Sequence, residues 1–316
     1  MDIRGRALLS TSRFVYLVDL ATGDATIIAS GQGLYYGITW DHNHTYIVCA
    51  DFHPFLRKLT RPKVLVFDRF LRKIAETRPP FKIRGGVHQA YYDPFSDSMW
   101  WMSSKDDAAL ILHNSDWEKW SPVGETLREW RARLGAKAKK NWDQPDSDIH
   151  HLNSVWMKDG KIFFVAHNWG PSEVYIFEQK TRKLLDLVPI GTCAHNVWTE
   201  GDDLFVCCSS EGTILNHRGE VKIKIDGFIR GVAATEQFRI VGISEKADRR
   251  NRARTAGHIK VLTHDWKPVC CWSFKNAGQV LEVRILSEGD LCHNGMPAPI
   301  DNSVLEGAVS QFSYAK

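Results

Sequence analysis

Short apolar runs recur along this chain, each closed by a turn. YIVCADF, KVLVFD, SMWWMSS, KIFFVAHN, EVYIFE, DLFVCCSS and FRIVGIS are rich in β-branched and aromatic residues and read as strands. ATGD, DHNH, DPFSDS, KDGK, EGDD, HRGE and SEGD separate them and read as turns. A longer repeat lies over this alternation. Six segments share one pattern: YGITWD from Tyr36, HQAYYD from His88, NSVWMK from Asn153, HNVWTE from His195, RGVAAT from Arg230 and EVRILS from Glu282. Each opens on a polar or aromatic residue and continues in a mostly apolar run. In most copies a turn residue sits five places after the opening residue. Repetition at a period of a few tens of residues marks a propeller or solenoid, because one such unit cannot bury its apolar face alone.

A second series supports the same count. The hairpins YLVDLATGD, VLVFDRFLR, LILHNSDWE, VYIFEQKTR, TILNHRGEV and IKVLTHDWK number six. The first of them, Tyr16 to Asp24, precedes every leading segment, and no such hairpin follows Glu282. The N-terminal strands are therefore expected to complete the last blade, which removes an exposed sheet edge. The prediction is an all-β, six-bladed β-propeller forming a single domain over residues 1–316. Residues 125–140, ETLREWRARLGAKAKK, interrupt the pattern with helical, basic composition and predict an insertion over 125–148. KADRRNRARTAG, from Lys246 to Gly257, is a second basic interruption. Both fit either a solvated connection or a flap for an anionic ligand.

Composition narrows the function classes. Hydrophobic residues make up 43% and charged residues 25% of the 316 positions, ordinary values for a globular protein. A net charge of +4 is too mild to argue for nucleic acid. No run approaches the roughly 18 apolar residues of a membrane span, so no membrane partner is expected. The opening MDIRGRALLSTSRFVYLVDL lacks an apolar signal region. The seven cysteines are odd in number and form no CxxC pair. A reduced, cytoplasmic protein is the expectation.

In a closed propeller, equivalent positions converge on one axis. The leading residues Tyr36, His88, Asn153, His195, Arg230 and Glu282 are expected to line its mouth. Side chains alternate along a strand, so the residues two places earlier, including His151 and Cys193, join the same side. The resulting inventory is that of a metal site. His88, His195 and Glu282 are the expected ligands, with His151 and Asn153 completing or supporting the shell. Two imidazoles and a carboxylate leave open positions on a divalent metal such as Fe, Zn or Mn. Arg230 suits an anionic group of the substrate, and Asn153 is counted with it in binding. Tyr36 is a candidate proton donor, and Cys193 a candidate ligand or nucleophile. The competing reading pairs Arg230 with Glu282 and makes the ring a structural plug. His150 is expected to point away from His151. Trp40, Trp156 and Trp198 hold similar places in their segments and are read as packing between blades.

The leading pattern resembles the H-G-I-x-x-D inner strand of six-bladed propellers of the gluconolactonase and strictosidine-synthase type. In the gluconolactonase group that resemblance implies an axial metal held by a glutamate, two asparagines and an aspartate. Glu282 and Asn153 match those types here, while His88 and His195 depart from them and favour a softer metal than calcium. HLNSVW, CAHNVW and DGFIRGVA followed by RIVGISE resemble a bacterial propeller family with the motif G-F-x-R-G-(V/L)-A. That second resemblance covers about residues 150 to 257; it implies the fold and marks Arg230 without naming a substrate. Together these readings predict a metal-dependent enzyme acting on a small or peptide-like anionic substrate. Metal-activated water would give hydrolase or lyase chemistry. A non-haem iron oxygenase and a non-catalytic ligand-binding or scaffold propeller are the alternatives.

Overall fold

The computed structural model describes residues 3–53, 58–124, 129, 132, 148–247 and 251–306. Those residues form six four-stranded antiparallel sheets, an all-β, six-bladed propeller. Each leading segment of the repeat is the first strand of a sheet: Leu34–Trp40, Val87–Asp93, Leu152–Lys158, Ala194–Glu200, Phe228–Ala234 and Val280–Ile285. Each hairpin of the second series joins the third and fourth strands of a sheet, as in Pro171–Glu178 with Leu184–Thr192. The sixth sheet is completed from the other end of the chain. Arg6–Thr11 pairs with Val280–Ile285, placing Leu9 opposite Val283 and Leu8 opposite Arg284. That closure is the one the two repeat series require.

The chain divides into two compact units of three sheets each, one of residues 1–78 with 228–316 and one of residues 79–227. In the first unit, Leu9, Val18, Ile240, Val261 and Val283 share one buried cluster, and Ile38, Trp40, Ile47 and Phe67 share a second. In the second unit aromatic contacts carry the packing between sheets. The ring of Tyr91 meets that of Trp156 at 5.7 Å, and the Tyr91 hydroxyl donates to the Met157 carbonyl at 2.9 Å. Trp156 Nε1 donates to Thr199 Oγ1 at 3.3 Å. Trp156 thus bridges neighbouring sheets, as its sequence position suggests, whereas Trp198 stacks on Phe205 of its own sheet and bonds Glu200 of its own strand.

Every leading strand carries a break in register at the same place. The pairing slips between Tyr35 and Ile38, Val87 and Ala90, Leu152 and Ser154, His195 and Val197, and Ile229 and Val232. In the sixth sheet it slips opposite Val280 and Glu282. A β-bulge leaves a residue out of the ladder, twists the strand and re-aims side chains. Tyr36, His88, Asn153 and Arg230 lie in the bulges themselves, whereas His195 and Glu282 flank theirs. The glycine of the Phe228–Ala234 strand follows from this. Gly231 has φ +75° and a Cβ there would sit 2.6 Å from Val283 N, so only glycine fits.

The expected helical insertion over 125–148 lies almost wholly outside the described residues; Glu129 and Ala132 are helical. The basic Lys246–Gly257 segment contains a short 3-10 turn, Arg252–Arg254. After the last leading strand, Met296, Ala298 and Ile300 fold back onto the second cluster of the first unit. Among the described residues no helix is long and apolar enough to cross a membrane.

Candidate functional site

In the unit of residues 79–227, the bulged leading strands bring imidazoles together. Ring centroids of His88 and His151 are 5.1 Å apart, those of His151 and His167 5.1 Å, those of His167 and His195 5.2 Å, and those of His195 and His88 6.0 Å. The four close a ring. Three of them are histidines that the repeat singles out. His167 is not: it is the last residue but one of the run KIFFVAHN, just beyond the second strand of its sheet. The hairpin register places it. Leu152 pairs with Ala166, so the residue after Ala166 stands beside His151. By the same rule Ala194 pairs with Cys208, and Ser209 stands beside His195. Hairpin register is the signal that reaches both residues once the turns are fixed; the leading-strand pattern alone does not reach them.

The backbone around this ring is unusual. Among the described residues five non-glycine residues here adopt left-handed φ: His151 (51°), Asn168 (53°), Trp169 (55°), Cys193 (50°) and Asn196 (53°). Such conformations cost on the order of 1–3 kcal/mol each and cluster where surrounding bonds over-determine them. Those bonds are present. Asn168 N donates to His150 O at 2.9 Å, and its Nδ2 to Glu173 Oε2 at 2.9 Å. Cys193 N donates to Gly170 O at 2.9 Å. Asn196 N donates to Ser154 Oγ at 2.8 Å, and Ser154 Oγ in turn to Asn153 Oδ1 at 2.8 Å. Asn153 is 1% exposed and its Nδ2 donates to Ala194 O at 2.8 Å. Its amide therefore clamps two leading strands directly beside His195. Asp107 accepts from the backbone N–H groups of Ile149, His150 and Leu152 at 2.7, 3.1 and 3.3 Å and so fixes the turn that presents His151. Burial pushes the Asp107 carboxyl up to about 7 against those three donors.

Hydrogen bonds set the tautomers of three imidazoles. His151 Nδ1 lies 2.9 Å from Asp148 Oδ1, a carboxylate that can only accept, so Nδ1 carries the proton of this bond. Trp169 braces this pair: its Nε1 donates to Asp148 O at 2.9 Å, and its ring lies 4.4 Å from that of His151. His195 Nδ1 lies 3.1 Å from the Cys193 carbonyl and 2.9 Å from Ser209 Oγ. A carbonyl also only accepts, so Nδ1 of His195 carries the proton of that bond. His167 is the reverse. Its Nδ1 accepts the Trp169 backbone N–H at 3.1 Å, which puts its proton on Nε2. The Cys193 thiol is half-buried, and burial pushes its pKa up, away from thiolate. It is the Cys193 carbonyl that bears on the site. His150 turns to a buried pocket of its own, with Nδ1 3.3 Å from Asn168 Oδ1 and its ring 5.9 Å from Tyr175. As the side chains stand, no group of three His, Cys, Asp or Glu among the described residues is placed to hold a metal ion.

Tyr36, Arg230 and Glu282 belong to the other unit. Tyr36 is half-buried and its carbonyl accepts from Ser10 Oγ at 2.7 Å. The Arg230 guanidinium, half-buried, lies 5.0 Å from the Phe228 ring centroid, and Arg252 lies 5.9 Å from the same centroid. Glu282 is fully buried and faces Arg284, with 3.3 Å between Oε2 and Nη2 and side-chain exposures of 1% and 0%. Arg284 also lies 3.8 Å from Asp290 and donates to the carbonyls of Val232 and Val283 at 2.8 and 3.1 Å. Burial pushes Glu282 up to about 7 and Asp290 up to about 6, although Arg284 pulls both down. His293, bonded to Thr39 Oγ1 at 2.9 Å, is held well below the usual imidazole range by burial. The partner of Glu282 is thus two places along its own strand, on the side that strand alternation predicts.

Solved structures with this architecture are numerous. The chain is similar to a chain of the nidogen/laminin complex, with a TM-score of 0.59, 10% identity, and 89% of this chain and 97% of that one covered. It is similar to TolB from Acinetobacter baumannii, with a TM-score of 0.53, 12% identity, and 90% and 67% covered. A protein from Lactobacillus plantarum gives a TM-score of 0.53 at 10% identity, with 90% and 100% covered. At these identities the shared property is the fold. No family model and no curated protein matches the chain.

Proposed function

We propose that the histidine ring of residues 79–227 is a divalent-metal site and that the chain is an enzyme using metal-bound water on a small or peptide-like anionic substrate. The observation that carries this reading is the ring itself, four imidazoles of which His151, His167 and His195 have protein hydrogen-bond partners behind them. At a zinc–nitrogen distance of about 2.0–2.1 Å, imidazoles sharing one tetrahedral ion have centroids about 5 Å apart. Adjacent rings here stand at 5.1 to 6.0 Å, and the reading requires the side chains to rotate on binding before their nitrogens meet a common ion. Asp148 and the Cys193 carbonyl orient His151 and His195 from behind, the arrangement that ligating histidines need. His88 completes the proposed ligand set. Imidazole ligands suit zinc and iron, with manganese a poorer match. The reading places hydrolase or lyase chemistry first, because a three-imidazole ion with open positions generates hydroxide near neutral pH. Glu282 already has Arg284 within its own unit, so the proposal rests on the histidines.

Metal analysis tests it. Purified protein equilibrated with Zn²⁺ and desalted is expected to hold one equivalent per chain, lost in His195→Ala and His151→Ala. Metal-free protein whose thermal stability ignores both Zn²⁺ and chelator contradicts it.

A second reading is a non-catalytic binding propeller. It is favoured by apolar residues exposed on fourth strands, among them Ile74 at 54% and Val221 at 55%, and by the fold likeness to a chain from a nidogen/laminin complex. On that reading the ring binds no metal and a partner protein covers the strand edges.

A further inference from the structure

Outside the histidine ring, a cleft in the unit of residues 79–227 carries unbalanced positive charge. It has a volume of about 390 Å³ and is lined by Lys82, Arg84, Asp106 and Lys119. That volume lies within the span of small-ligand sites, about 300–1,000 Å³. The carboxylate of the cleft is already committed to the chain. Asp106 Oδ1 lies 2.6 Å from Lys119 Nζ. Its Oδ2 accepts the Arg84 backbone N–H at 2.8 Å and stands 2.8 Å from Ser103 Oγ. Ser104 donates to Gly86 O through both its backbone N–H and its hydroxyl, each at 2.9 Å. Gly86 has φ +72° and a Cβ there would sit 2.6 Å from Ser104 Oγ, so this close approach requires glycine. These bonds pin residues 84–86 onto the 3-10 turn Ser104–Asp106.

Lys119 balances Asp106, which leaves Lys82 and Arg84. Among the described residues no carboxylate pairs with either side chain. Half-buried Phe81 and Ile83 alternate with exposed Lys82 and Arg84, so the two cations share the solvent side of their segment. Asp106 holds Arg84 by its backbone, which sets the position of the residue and leaves the guanidinium for a ligand. Such pre-ordering lowers the cost of binding. We infer that this cleft binds the phosphoryl group of a small molecule, inorganic phosphate or a phosphate ester. A phosphoryl group carries about −1.5 to −2 charges at neutral pH, which two uncompensated cations match. The arginine fork takes two of its oxygens, and the lysine acts as a point charge. The site involves no metal and stands independently of the histidine reading.

Calorimetric titration of the full chain with inorganic phosphate and with phenyl phosphate, at low salt, tests the assignment. Saturable binding is expected, weakened about ten-fold in Arg84→Gln and in Lys82→Gln, the loss of one charge-assisted bond each. Both positions are exposed, so the thermal midpoint is expected to stay unchanged. Lys158→Gln, which removes an exposed lysine outside the cleft, is expected to bind as wild type does. Tighter binding of phenyl phosphate supports the site and assigns it to an ester; equal binding supports it with the free anion as ligand. The assignment is overturned by absence of saturable binding, by binding that Arg84→Gln and Lys82→Gln leave unchanged, or by an equal loss in Lys158→Gln. Malonate binding as tightly as phosphate overturns it too, since a dicarboxylate would then serve equally well.

Discussion

Two side chains show how single residues divide between shaping the site and serving it. Asp148 has one evident task, to hold His151 by Nδ1. Removing its charge in Asp148→Asn keeps an oxygen acceptor but weakens the orientation, and outer partners of ligating histidines are typically worth 10–100-fold in metal affinity, about 10-fold or more being expected here. Calorimetric titration with Zn²⁺ checks this against wild type. Glu282 serves stability, and the sign of its pH dependence can be worked out. An unfolded glutamate titrates near 4.5, whereas buried Glu282 titrates near 7. The fold thus prefers the protonated form. Stability from this group is complete below the unfolded value and falls as pH rises from about 4.5 to about 7, a loss on the order of 3 kcal/mol. Asp290, raised to about 6, acts in the same sense. His293, held neutral, acts oppositely, costing stability as pH falls below its unfolded value. The Arg284 and Arg230 guanidinium groups temper the rise at Glu282. Denaturant unfolding across pH 4 to 8 should therefore show a fall with rising pH that Glu282→Gln reduces; an unchanged profile in the variant would refute the assignment.

At the scale of elements, the bulges explain both what was legible in the sequence and what was not. The leading residues announced themselves because a bulge frees a position from the ladder, and chemistry-bearing side chains occupy it at Tyr36, His88, Asn153 and Arg230. Strand alternation also brought His151 and Cys193 into view. It could not tell their roles apart, since left-handed φ at both residues breaks the alternation and sends the Cys193 carbonyl, not its thiol, to His195. His167 and Ser209 stayed hidden because hairpin register places them rather than the repeat, and Asp148 because it precedes the first strand of its sheet. Asn153 showed its position but not its work, because the bond to Ala194 joins residues 41 apart in sequence. The bulge also predicts where substitution fails. Gly231→Ala would place a Cβ 2.6 Å from Val283 N at φ +75° and should destabilise by on the order of 1–3 kcal/mol, read as a lower denaturation midpoint with unchanged slope.

For the whole molecule, two independent series of six in the sequence sufficed to give the blade count, since each describes a different part of the same four-stranded sheet. They also required that the chain's first strands join its last. Leu9 sits in that joint, fully buried and paired with Val283. Leu9→Ala should cost about 2–5 kcal/mol, the range for a large apolar side chain removed from a packed core, and its effect should exceed that of truncating the exposed Leu185. The fold alone does not assign chemistry, because the same architecture serves many functions. What distinguishes this chain is the concentration of imidazoles and constrained backbone in one of its two units. X-ray absorption spectroscopy of the zinc-loaded protein tests that claim most directly. The account predicts imidazole scattering from three rings with nitrogen at about 2.0–2.1 Å plus an oxygen, abolished in His151→Ala. A sulfur shell at about 2.3 Å, or a zinc environment indifferent to that substitution, would contradict it.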